Sequence, residues 1–263
     1  MNQVSAEMTR RVRQVASVMI IALALLWQPQ AIAEEATQVA ASAEASAQET
    51  RTATIVVWAE RRAEGEAYPL RLLLSEEVLR FDGGKDTDDY LLLERENKTL
   101  FNVVRSDQSV LRVPYVAVAV DDALAKAIRL EEVLERMQGA PKVEGLVPMK
   151  LTLKADGEVC RTSVVVPELF PEILAALKEF ATAMASFHAA NLPSAAVENV
   201  NACSFADAIL APTRSLESGF PIQENQSAGL QRMLFSLEED VALPAALFAP
   251  PADYSVETFS VTR

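Results

Sequence analysis

Two cysteines, Cys160 and Cys203, one histidine, His188, and four closely spaced aspartates, Asp82, Asp86, Asp88 and Asp89, are the residues with the widest chemical range in this chain. An even pair of cysteines in an oxidising compartment forms a disulfide. A zinc site would need more ligands than these two, which are isolated from histidine in the sequence. A calcium loop wants acids at alternating positions and a glutamate at its twelfth. Counted from Asp82 that position is Leu93, and from Asp86 it is Asn97, so the aspartates read as a solvated hairpin tip. Gly83-Gly84-Lys85 lacks the spaced glycines and following hydroxyl of a phosphate loop. His188 sits where a helix should end, complementing the helix dipole. No Gly-x-Ser-x-Gly elbow accompanies it, and a disulfide would leave no free thiolate for it to activate. The chain is therefore read as non-catalytic, with no metal or cofactor site.

The elements that position these residues follow from hydrophobic period. Residues 52–114 alternate with period two or run β-rich: Thr54, Val56 and Trp58, then Leu70, Leu72 and Leu74, then segments 79–81, 90–93, 100–104 and 110–113. Gly83-Gly84, Glu96-Asn97-Lys98 and Ser106-Asp107-Gln108 punctuate them as turns, which predicts an antiparallel meander. Residues 121–138 carry an aspartate cap and a helical period through Leu124, Ile128, Leu134 and Met137. A helix is favoured there, with a strand over 128–134 as the alternative. A strand over 147–154, the tight-turn pair Asp156-Gly157 and a returning strand over 158–166 bearing Cys160 come next. Pro167 and Pro171 introduce a helix whose apolar stripe is Ile173, Leu174, Leu177, Phe180, Ala181, Met184 and Phe187, ending by Pro193. A shorter helical stretch over 203–210 brings Cys203 beside it. The tail returns to a strand pair, 218–223 and 230–237, after which Leu247, Phe248 and Tyr254 are expected to seal a sheet edge. The fold class is α+β.

The amino-terminal stretch supplies an address. Arg10, Arg11 and Arg13 precede an apolar run over 15–27 and the small-x-small end Ala31-Ile32-Ala33. These are the three parts of a secretory signal peptide, with cleavage expected after Ala33 and a mature protein in the periplasm. Arg13-Gln14 stands where a twin-arginine signal wants an apolar pair, which favours general secretory export. Residues 34–51 are rich in Ala, Ser, Glu and Gln and read as a disordered linker. A single domain over 52–263 follows. The formal charge is −13, and loss of a leader with three arginines and one glutamate makes the remainder more acidic still. Such a surface repels nucleic acid.

The segments LRLLLSEEVLRFDGGKDTDDYLLLERENKTLFNVVRSDQSVLRV, VEGLVPMKLTLKADGEVC, ELFPEILAALKEFA and NACSFADAIL together resemble a family of uncharacterised bacterial periplasmic β-rich proteins. In that pattern a glycine-led strand reaches one cysteine, a helix follows, and a second cysteine closes the unit. The resemblance implies a structural framework and no transferable activity. At the level of fold, a curved antiparallel sheet packed on one long amphipathic helix is similar to the half-barrel of lipoprotein carriers of the LolA and LolB type.

Two functions follow as expectations. In the first, the half-barrel binds an apolar ligand or lipid, with Phe180, Met184 and Phe187 facing Leu70, Leu72, Leu91 or Phe101 across a cavity. In the second, the protein is an envelope adaptor that meets a protein partner. A cavity of about 300 Å³ or more separates the two, because a filled core leaves no room for a ligand.

Overall fold

The computed structural model describes residues 49–63, 65–117, 126, 128–191 and 201–260. The expected signal peptide, most of the expected linker, the expected aspartate cap at 121–122 and Pro193 lie outside the described residues. Thr50 and Arg51, assigned by composition to the linker, already belong to the first strand.

Among the described residues twelve strands form one sheet: β1 (Thr50–Arg61), β2 (Tyr68–Leu74), β3 (Val78–Asp82), β4 (Tyr90–Glu94), β5 (Thr99–Val104), β6 (Ser109–Val113), β7 (Leu130–Arg136), β8 (Met149–Ala155), β9 (Glu158–Val166), β10 (Phe220–Gln226), β11 (Gln231–Pro244) and β12 (Ser255–Thr258). Their spatial order is β12-β6-β5-β4-β3-β2-β1-β11-β10-β9-β8-β7. The chain steps outward from β1 to β6, restarts at the far edge with β7, and steps back until β11 pairs with β1. All neighbours are antiparallel except β12 and β6, and the sheet is open, with β12 and β7 at its edges.

Short turns make this possible. Asp156 and Gly157 both have positive φ, 51° and 85°, the backbone that a two-residue hairpin loop requires. At the β4–β5 turn the Asn97 side chain accepts the Thr99 N–H at 2.8 Å, and Lys98 takes a positive φ.

Both faces of the meander are apolar. Leu72, Leu73 and Leu74 run consecutively, as do Leu91, Leu92 and Leu93, and such runs mark strands buried on two sides. One face carries helix α1 (Pro171–Ala190), whose Ile173, Ala176 and Ala183 are buried against Val56, Trp58, Leu72, Leu74, Leu79, Leu93 and Leu100. Pro171 suits the first turn, where no N–H is needed. The helix ends at Asn191, whose side-chain amide donates to the Phe187 carbonyl at 2.8 Å. The Arg95 guanidinium, just beyond β4, donates to both Glu179 oxygens and ties the helix to the sheet. The other face holds Leu73, Tyr90, Leu92, Phe101, Val103 and Val110 under Leu247, Phe248 and Tyr254. Those three residues therefore seal a face and not the expected edge; the edge beside β6 is taken by β12. A sheet with two apolar faces needs a second cover, and the chain after β11 provides it.

The helix expected within 121–138 is corrected over its second half: Leu130–Arg136 is β7, paired with β8 from Leu130↔Ala155 to Arg136↔Met149. Its helical period is real, yet the open edge of β8 offers a full set of backbone partners. Charged side chains crowd β7, as suits an edge strand that must not recruit another chain.

Cys160 on β9 is disulfide-bonded to Cys203, with Cα atoms 5.0 Å apart. Cys203 lies in α2 (Ala202–Phe205), which continues into a π-helical turn over Ala206–Leu210. Among the described residues no helix is long and apolar enough to cross a membrane.

Candidate functional site

Between α1 and the sheet lies a cavity of about 410 Å³. Its floor is Trp58 on β1, Leu70 on β2, Phe81 on β3 and Leu91 on β4; its roof is Leu177, Phe180 and Met184 on α1. Strand parity sends these floor residues to one face, and helical spacing of three and four puts the roof residues on one stripe. Phe81 and Phe180 meet across it with ring centroids 4.8 Å apart. The volume lies within the range of small-molecule sites.

Of the seven apolar residues anticipated, Leu70, Leu91, Phe180 and Met184 line the cavity. Leu72 points to the same face but is wholly buried beneath the helix. Phe187 lies beyond the cavity, edge-on to Phe259 at 5.3 Å. Phe101 is on the opposite face. The β4–β5 register pairs Leu92 with Phe101 and Leu93 with Leu100, and a strand's parity cannot put Leu91 and Phe101 on one side.

Sequence reasoning missed the polar wall. Arg161 on β9, Glu224 and Gln226 on β10, Arg232 on β11 and Asp207 in the π-helical turn close one side. Arg161 donates to Glu224 at 2.5 Å, and its other terminal nitrogen lies 3.5 Å from Asp207. Arg232 donates to Glu60 at 2.7 Å and lies 3.5 Å from Glu224. Arg214, behind the wall, donates to Asp207 at 2.7 Å, and Tyr68 donates its hydroxyl proton to Glu60. Burial works against the charge on Arg161, yet Glu224 and Asp207 outweigh it and hold its pKa above the ordinary value. Three arginines thus face three carboxylates. Among the described residues Arg161 Nε and Ser163 Oγ are buried without a hydrogen-bond partner. The signal available in the sequence was weak, since these residues come from β1, β9, the stretch from Asp207 to Arg214, β10 and β11.

His188 also lines the cavity, so it does more than end the helix. Partial burial lowers its pKa below the ordinary imidazole value, which leaves it neutral at pH 7.

The aspartates separate. Asp86, Asp88 and Asp89 serve the β3–β4 turn region, where Asp88 accepts the Lys85 N–H and Asp89 the Arg105 N–H. Asp82 is not solvated: its side chain is fully buried. It accepts two hydrogen bonds from Arg71, both at 2.8 Å, one from Arg80 at 2.8 Å and one from the Gly84 N–H. Burial opposes its charge, but Arg71 foremost, with Gly84 and Arg80, lowers its pKa below the usual carboxylate value. Arg80 lies 3.9 Å over the Tyr90 ring and donates to the Leu247 carbonyl, fastening the carboxyl-terminal cover. Among the described residues no group of three or more His, Cys, Asp or Glu side chains could hold a metal ion.

No family model and no curated protein matches the chain. Among solved structures it is similar to an uncharacterised conserved protein from Thermus thermophilus, at 13% identity and a TM-score of 0.39, covering 86% of this chain and 99% of that one. It is also similar to PNGF-II, at 7% identity and a TM-score of 0.38, covering 79% of this chain and 31% of that one.

Proposed function

We propose that this is a non-catalytic exported protein that binds an apolar ligand, a lipid with a single acyl chain, between helix α1 and a sheet that curves around it as a half-barrel. The observation that carries this reading is the 410 Å³ cavity with aromatic and aliphatic residues on both floor and roof. Each methylene transferred into such a space contributes about 0.8 kcal/mol, so a chain of modest length binds without a charged anchor. A disulfide between Cys160 and Cys203 accords with an oxidising compartment such as the periplasm. The test is native mass spectrometry with lipid extraction of protein purified from the envelope fraction. A co-purifying amphiphile, and a thermal midpoint raised by adding it back, is the expected result. No amphiphile and an unmoved midpoint would overturn the proposal.

A second reading, an envelope adaptor, is favoured by Met233 and Phe235 on β11, which are 55% and 74% exposed. Phe235 is the extra residue of a bulge, with no partner between the pairs Val57↔Ser236 and Trp58↔Leu234. An exposed phenylalanine on such a bulge is suited to contact with a protein partner.

A further inference from the structure

The polar wall specifies the head of the ligand as the apolar walls specify its tail. Every carboxylate oxygen in the wall already has a donor. Glu60 accepts from Tyr68 and Arg232, Glu224 from Arg161 and Arg232, and Asp207 from Arg214 and Arg161. The arginines Arg161, Arg214 and Arg232 equal the carboxylates in number, so the wall is electrically balanced. A full charge brought against it must pull one member out of an existing pair, in surroundings where Glu224 is only 4% exposed. Stranding a charge there is costly. Hydrogen-bonding capacity, by contrast, is left over. Arg161, whose Nε has no partner among the described residues, and the Gln226 carboxamide both line the cavity.

Resting on the proposed apolar-ligand reading, we infer that the ligand is an amphiphile whose head is uncharged and carries hydroxyl or amide groups, like a monoacylglycerol, and that fatty-acid anions and alkylammonium cations are discriminated against. The discrimination resides in the balance between arginines and carboxylates, so altering one member shifts it predictably. Loss of a negative charge at Glu224 leaves a surplus arginine that welcomes an anion. Loss of a positive charge at Arg232 leaves a surplus carboxylate that welcomes a cation.

The experiment titrates the full mature protein with three probes of one chain length: 1-monododecanoylglycerol, dodecanoate and dodecyltrimethylammonium. All are kept below their aggregation concentrations and followed by calorimetry. The uncharged probe should bind about tenfold or more tightly than either ion. Equal or tighter binding of an ion overturns the head-group inference and leaves the apolar-ligand reading standing. Binding of none overturns both. In Glu224→Gln the dodecanoate-to-monoacylglycerol affinity ratio should rise, and in Arg232→Gln the ammonium-to-monoacylglycerol ratio should rise, each by about tenfold. Unmoved ratios in variants that retain the wild-type circular dichroism spectrum overturn the assignment of discrimination to these pairs. The wild-type series decides the head-group question even if one variant fails to fold.

Discussion

Arg161 and Asp207 face each other at 3.5 Å because the disulfide fixes the backbone beside each of them. Cys160 immediately precedes Arg161 on β9, and Cys203 lies one helical turn before Asp207. The covalent bond therefore registers the polar wall, joining a strand to a segment 43 residues away. In the chain-entropy model a loop of that length is worth about 4 kcal/mol. The double variant Cys160→Ala/Cys203→Ala should lose up to about that amount in a urea titration. Its head-group discrimination should weaken while apolar probes still bind, because Phe81, Leu91 and Phe180 lie outside the closed loop or far from its ends. Loss of apolar binding in a folded double variant would contradict this division.

The cavity can be filled from within. Ala181 on α1 lines it beside Phe180 and Met184. Ala181→Phe should abolish uptake of amphiphiles at little cost to the thermal midpoint, since its ring enters existing space. In a closed core the same change would force a rearrangement costing about 1–3 kcal/mol. Calorimetric unfolding together with ligand titration separates the two outcomes.

The fold was legible wherever local chemistry decided it. Period-two runs and turn residues define β1 to β6, and Asp156-Gly157 defines the β8–β9 hairpin. Leu130–Arg136 shows the limit: its helical period lost to the pairing partners of β8, which lie outside its own window of sequence. The site was half legible. Leu70, Leu91, Phe180 and Met184 followed from burial patterns, whereas Phe101 failed because the register across the β4–β5 turn settles parity between strands. Nothing near Arg161 announces Glu224, 63 residues on. Asp82, amid other aspartates, looked solvated until Arg71 from the neighbouring strand was seen to clasp it.

Asp82→Asn should be among the most destabilising single changes in the chain. Arg80 is fully buried and would keep its charge without its carboxylate partner, while Arg71, largely buried, would keep only Asp86. Stranding a buried charge in this way costs about 3–5 kcal/mol. The same pair makes stability pH-dependent. Because the folded-state pKa of Asp82 lies below its unfolded value, the unfolded chain takes up the proton first. The stabilisation is present above about pH 4 and is lost as pH falls through the folded pKa. Urea midpoints of wild type and Asp82→Asn, measured from pH 7 downward, should begin to draw together below about pH 4. Parallel curves would show that the carboxylate charge is not what matters.

His188 gives the cavity a pH response of its own. Its pKa is lowered by burial, so between the unfolded value, about 6.5, and the folded value the unfolded chain binds more protons. Stability contributed by the neutral imidazole is present above about pH 6.5 and declines as pH falls through that window. His188 is exposed to solvent, which keeps the effect small. A ligand seated beside His188 would exclude water and disfavour the imidazolium further. Amphiphile affinity should therefore drop between pH 7 and pH 5 in the wild type, and protons should be taken up on ligand release. His188→Gln keeps a polar group at the position and removes the titration. Its affinity should be flat over the same range, as read by titration of 1-monododecanoylglycerol, a probe that does not itself ionise. A wild-type affinity that is equally flat would remove His188 from the binding wall, and an equal decline in both proteins would show that His188 does not carry the response.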